Sequence, residues 1–237
     1  MAQADTSSTY HVDDSALLPT TWQIGEHVAV VGDTGTGKTF LVSKLTQLRE
    51  YVVIFRTKAD DITFPGFRKA RTVDALDNLY ETRILLEPKH GQQMRQGYEL
   101  LTRVYDQGGW TVVIDEEWFV EARLHLTEYV ETLLTQGRSK KVSVVVGMQR
   151  PARISRFTIS QCTHLFSFRI EGRDLQTMKE ATTPRLVEPI SSLVGHDFVY
   201  YNRASRIVAR GNARALDRIL VGGRRQAQND GNGSGGR

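Results

Sequence analysis

The chain has 237 residues, 40% of them hydrophobic and 24% charged, enough for one sizeable α/β domain and little more. No apolar run reaches the roughly 18 residues of a membrane span, the N-terminus lacks the basic and apolar regions of a secretory signal, and Cys162 is the only cysteine, which excludes an intrachain disulfide and a cysteine-based metal site. A reducing, cytoplasmic setting without membrane contact is expected. Net charge is +4 but unevenly placed: residues 1–27 carry four acids and no Lys or Arg, whereas residues 138–173 carry eight Lys and Arg against Glu171 alone. Such a basic block suits phosphate, on a nucleotide or on a nucleic-acid backbone.

Residues 1–20 read as a flexible acidic segment, 21–221 as one domain, and 222–237 as a disordered Gly-rich tail that cannot bury a core. Within the domain, short β-branched runs alternate with helical stretches. HVAVV (27–31) reads as a strand, and KTFLVSKLTQLRE (38–50) as a helix with Phe40, Leu41, Leu45 and Leu48 on one side. YVVIF (51–55) and RILLE (83–87) read as strands, QQMRQGYELLTRVYD (92–106) as a helix. WTVVID (110–115) is a strong strand, followed by a helix over 122–136 and strands over 142–147 and 163–170. FVYYN (198–202) and RIVAR (206–210) read as a late hairpin. Continuous apolar strands alternating with helices imply a mostly parallel central sheet with helices on both faces, an α/β fold.

Residues 32–39, GDTGTGKT, match G-x-x-x-x-G-K-[ST] in full. The residue types suit the chemistry. Glycines let the backbone wrap a phosphate closely, Lys38 can bridge the β- and γ-phosphates of ATP, and the Thr39 hydroxyl can ligate Mg²⁺. A strand precedes the loop, and the helix after it adds its positive end. The expected nucleotide contacts are Gly32, Asp33, Thr34, Gly35, Thr36, Gly37, Lys38, Thr39 and Phe40. This much resembles the P-loop NTPases, which implies an acidic partner at the end of a second buried strand. WTVVIDEE supplies it: Asp115 is expected to hold Mg²⁺ with Thr39, and Glu116 to polarise the attacking water. Glu117 is expected to be a solvated surface acid. The acid pair resembles the ASCE branch, in which an extra strand lies between the P-loop strand and the Walker B strand, a RecA-like arrangement. The sequence leaves the places of 51–55 and 83–87 in that sheet open.

The narrower signal is GRSKKVSVVVGMQRPARIS (137–155). A basic turn leads into a buried strand that ends at Gln149, and Pro151 then opens a helix at a tolerated position. A glutamine beside Walker B can donate and accept hydrogen bonds without charge. GR, an apolar strand and QRP together resemble the FtsK–HerA superfamily of DNA-pumping ATPases, over roughly residues 25–215. QCTHLFSFRIEGRDLQTMKE (161–180) is similar to that family's late strand and short helix.

The resemblance implies that Gln149 senses the γ-phosphate and that Arg138 acts in the neighbouring subunit's site, with Arg150, Arg153 and Arg173 as competitors. It implies ATP and Mg²⁺ as cofactors, a ring-shaped homo-oligomer, hexamer or pentamer, and double-stranded DNA as the load. A bare motor of this size is similar to viral genome-packaging ATPases, so a capsid vertex or portal is a further expected partner, and host cytoplasm or the virion vertex the expected place. FPGFRKAR (64–71) and EPKHGQQMR (87–95) are the candidate DNA-gripping loops. The rival readings are a filamentous-phage-type export ATPase, a nucleotide kinase and a P-loop regulator that turns over little. The six histidines show no metal-ligand spacing and are assigned no chemistry.

Overall fold

The computed structural model describes residues 22–58, 64–78 and 80–215. The expected acidic N-terminal segment and Gly-rich tail lie outside the described residues. Along the chain run β1 (Val28–Val31), α1 (Lys38–Thr46), β2 (Val52–Phe55), β3 (Arg68–Ala70), β4 (Arg83–Leu86), α2 (Gln93–Gln107), β5 (Thr111–Ile114) and α3 (Thr127–Gln136). Then follow β6 (Ser143–Met148), α4 (Arg156–Gln161), β7 (His164–Ser167), α5 (Gly172–Ala181), α6 (Val187–Ser191), β8 (Asp197–Asn202) and β9 (Val208–Asn212). No described helix is long and apolar enough to cross a membrane.

The strands form one nine-stranded sheet in the order β3-β4-β2-β5-β6-β1-β7-β8-β9. Every neighbouring pair from β3 to β7 is parallel, and β8 and β9 close the sheet as an antiparallel hairpin. Strand β6 is the extra strand between β1 and β5, and β2 lies beside β5 with β4 beyond it. That order settles the two places the sequence left open.

Burial on both faces explains the apolar runs. All residues of β1, β2, β5, β6 and β7 are buried. Alternate side chains serve two cores, as a period of two requires. Ala29, Val31, Val53, Phe55, Val112 and Ile114 share a core with Leu100, Leu101 and Val104 of α2 and Val130, Leu133 and Leu134 of α3. Val28, Val30, Val52, Ile54 and Val113 share the other with Leu41, Val42 and Leu45 of α1. Helices therefore cover both faces, with α1 opposite α2 and α3.

Three expectations need correction. Helix α1 stops at Thr46 and buries Leu41, Val42 and Leu45, while Phe40 and Leu48 are exposed. The buried stripe follows the i, i+4 row from Leu41, and Phe40 falls on the solvent side of it. The helix expected over 122–136 is broken. A wide π-type turn spans Phe119–Arg123, His125 takes φ 56°, and α3 begins only at Thr127. Leu124 and Leu126 are both buried. Two residues apart on a continuous helix would point about 200° apart, so the chain breaks to bury both. Lastly, 64–71 is not a simple loop, because Arg68–Ala70 forms the edge strand β3. Three residues, two of them basic, carry no apolar signal.

His27 gives the fold a pH dependence. Its ring is buried, and Nδ1 accepts the Val144 N–H at 3.1 Å. Burial pushes its pKa down from 6.5 to about 4. Its contribution is fully present above pH 6.5 and is lost as the pH falls toward 4. Integrating the linkage relation, His27 removes about 2 kcal/mol of stability between pH 7 and pH 5. Urea unfolding at the two pH values should give that difference between wild type and His27→Gln, which keeps an acceptor but cannot charge.

Candidate nucleotide site

Parallel strands in register bring their C-terminal ends to one edge. Val31 pairs with Met148 and with Ser167, and Phe55 pairs with Ile114 and with Leu86. The residues that follow these strands therefore converge: Gly32 after β1, Arg56 after β2, Glu87 after β4, Asp115 after β5 and Gln149 after β6. In open α/β sheets this is the edge where ligands bind.

The phosphate loop runs from Gly32 to Lys38. Gly32 donates to the Met148 carbonyl at 3.0 Å, tying the loop to the end of β6. A Cβ on Gly32 would stand 2.6 Å from Phe168 Cβ, so only glycine fits. Gly37, at the start of α1, has φ 108°, which side chains disfavour. Thr36 Oγ1 donates to the Asp33 carbonyl at 2.8 Å and rounds the turn. Asp33, Thr34, Gly35 and Phe40 are exposed, and Thr36, Gly37, Lys38 and Thr39 are half-buried at the loop mouth. Lys38 Nζ donates to the carbonyls of Gly32 at 2.6 Å and Asp33 at 2.7 Å, lying back across the loop. Burial lowers its pKa to about 8, against the opposing pull of Asp115, Asp33 and Glu116.

Asp115 and Glu116 sit beside this loop. Burial raises the Asp115 carboxyl above the usual carboxylate range, opposed by Arg56. Arg56 Nε lies 3.5 Å from Asp115 Oδ2, and Lys58 Nζ lies 2.6 Å from Glu116 Oε1. Gln149 reaches the loop directly: its Oε1 accepts from Thr34 Oγ1 at 3.2 Å. The structure thus gathers Lys38, Asp115, Glu116 and Gln149 at one mouth.

Arg138 is elsewhere. It lies in the turn Gly137–Lys140, before β6 rather than after it, with its stem against Gly25. The six residues of β6 set it about 20 Å from its own phosphate loop. Among its competitors, Arg153 lies over Trp118 at 5.6 Å, while Arg150 directly follows Gln149 and Arg173 is exposed at the start of α5.

Glu117 departs from expectation. It is fully buried rather than solvated, beside Glu121 and Thr158. Burial, and then the charge of Glu121, raise its pKa well above the usual carboxylate value. Glu121 in turn accepts from Thr158 Oγ1 at 2.9 Å. The chain turns inward after Glu116, ahead of the π-type turn, and carries the Glu117 side chain into the core.

Sequence reasoning missed three contacts. Arg56 and Lys58 directly follow the strand at 52–55, and cations there were the available signal. His196, assigned no chemistry, meets the Thr36 carbonyl through Nδ1 at 3.0 Å. It comes from the turn before β8, 160 residues away, and no local pattern marks it.

A P-loop after the central parallel strand, with acids on the strand two places away and a polar residue on the strand between, is the arrangement of the RecA-like P-loop fold, and this chain has that fold. Its particular likeness is to the genome-packaging ATPases of viruses. DNA packaging ATPase P9 of Enterobacteria phage PRD1 is 29% identical over 164 residues, 65% of this chain and 69% of that protein. The genome packaging NTPase B204 of Sulfolobus turreted icosahedral virus 2, solved with AMP, superposes with a TM-score of 0.65 at 14% identity, over 79% of this chain and 96% of that one. The same NTPase has been solved with AMPPCP and with ATP-γS. The bacterial conjugative coupling protein TrwBdeltaN70 shares the fold with a TM-score of 0.58 at 10% identity, over 80% of this chain and 85% of that one. No family model matches the chain.

Proposed function

We propose that the protein is an ATP-hydrolysing motor that moves double-stranded DNA and packages a viral genome into a capsid. The observation that carries this reading is the Gln149–Thr34 contact at 3.2 Å beside Glu116, in a chain 29% identical to a phage packaging ATPase. A glutamine at the loop can register whether the γ-phosphate is present, because it can re-form its bonds as the phosphate leaves.

In this reading ATP lies along residues 32–40, with its phosphates against the loop backbone and Lys38. Lys38 exchanges its two carbonyl acceptors for phosphate oxygens, which restore the charge that burial disfavours. Thr39 and Asp115 would hold Mg²⁺. One hydroxyl and one carboxylate suit an ion that keeps most of its shell as water and phosphate oxygen. The ion supplies charge neutralisation of the phosphates. Glu116 accepts the proton of the attacking water once it leaves Lys58. Gln149 and an arginine from the next subunit stabilise the departing γ-phosphate. Arg138 is assigned that task because its position excludes its own site. A ring of five or six copies, acting at a capsid vertex or portal from the host cytoplasm, is the assembly this requires.

ATP hydrolysis measured against protein concentration, with and without double-stranded DNA, tests the reading. The rate per subunit should rise with concentration and again with DNA. A flat rate indifferent to DNA would refute the motor and favour a kinase or regulator.

A further inference from the structure

The two basic segments 64–71 and 87–95 are separate in the chain but meet across the parallel pair β3 and β4. Arg71 follows β3, and Lys89 and His90 follow β4. With Arg56 and Lys58, which follow β2, they line one cavity of about 230 Å³. Among the described residues, four Lys and Arg side chains and His90 face a single lining acid, Glu87. That acid is already engaged, by Lys69 at 2.5 Å and Arg56 at 3.7 Å. Arg56 and Lys58 also pair with Asp115 and Glu116, so the excess positive charge of this concave site comes from Arg71 and Lys89 on its far side, a geometry that concentrates anions.

Its walls are held in place from below. Arg56 is 1% exposed. Arg71 Nη1 donates to the Glu87 carbonyl at 2.9 Å, and Gln93 Nε2 donates to the Thr57 carbonyl at 2.6 Å. These bonds fix the exits of β2, β3 and β4 relative to the start of α2. Lys89 and His90 stand exposed on the rim. Among the described residues no Phe, Tyr or Trp lines the cavity, so they offer no wide face to a base. Strands β5 and β6 separate it from β1 and the phosphate loop.

We infer that this cavity is a second anion site, beside the nucleotide site and joined to it through Arg56 and Lys58, and that it holds a backbone phosphate of double-stranded DNA. The inference rests on the DNA-motor reading. Contact through phosphate alone is sequence-independent, as a motor that must pass any sequence needs. Free inorganic phosphate shares the chemistry, and the test separates the two sources.

Binding of a short blunt duplex to the full chain is measured over a range of salt, with inorganic phosphate as competitor. Lys89→Glu, on the exposed rim, should weaken duplex binding about tenfold and flatten the salt slope by about one. Arg71→Gln should act in the same direction. Lys140→Glu, an equal charge change in the turn before β6, should leave binding within about twofold of wild type. Millimolar inorganic phosphate should not displace the duplex. Unchanged affinity and slope in both cavity variants would overturn the assignment while leaving the motor reading intact. Phosphate binding lost in Lys89→Glu with duplex binding unchanged would make free phosphate the occupant and overturn it too. A wild-type chain that binds no duplex even at low salt would overturn the motor reading and this inference together.

Discussion

Glu116→Gln should bind ATP with near wild-type affinity and hydrolyse it about 10²- to 10⁴-fold more slowly, the range expected for losing a general base. The substitution keeps the shape and removes only the proton acceptor. Glu116 stands at the loop mouth, where Lys58 Nζ holds Oε1 at 2.6 Å. The proposed seat of the nucleotide, residues 32–40 with Asp115, is left unchanged. Single-turnover hydrolysis, with fluorescent-nucleotide binding as the companion measurement, separates the two effects. Equal hydrolysis by wild type and Glu116→Gln would move the base to another residue. Loss of binding would instead mean that Glu116 helps to hold the nucleotide.

Arg138→Ala should lower hydrolysis by up to about 10³-fold or more, as for arginine fingers in phosphoryl transfer. The more telling result comes from mixing. Arg138 lies in the turn before β6, about 20 Å from the phosphate loop that β6 approaches with its other end. That distance is why it is proposed to serve a neighbour. Arg138→Ala and Glu116→Gln damage opposite faces of a shared site. Combined in one ring, they should restore activity at each interface where an intact Glu116 meets an intact Arg138. Activity that stays absent in every mixture, with assembly verified by light scattering, would remove Arg138 from the site. Arg150 would then be the next arginine to test, since it directly follows Gln149.

Much of the nucleotide site was legible because it is local. GDTGTGKT needs only a strand, a turn of glycines and a helix start, all written in eight consecutive residues. Asp115 and Gln149 were legible for a related reason. Each ends a run of apolar residues too long and too β-branched to be anything but a buried strand. The register then aligned those ends, as Val31 with Met148 and Ile114 with Val146 show.

The side chains that bear on the acids were a different matter. Arg56 and Lys58 meet Asp115 and Glu116 only because β2 lies beside β5. His196 meets Thr36 because the hairpin of β8 and β9 lies beyond β7. Glu117 was misread for a similar reason. Strand alternation can say that it turns away from Glu116, but not whether solvent or core waits on the other side.

The sequence by itself determined the apolar strands, the phosphate loop, the acids and the polar residue at the end of β6, since each depends on backbone geometry over a few adjacent residues. Only the tertiary structure decided strand order, the burial of Glu117, the remoteness of Arg138 and the meeting of two basic segments around one cavity. Those depend on which strand pairs with which, and neighbour choice in a parallel sheet is a property of the whole core, because each strand is hydrophobic on both faces and carries no local mark of its partner.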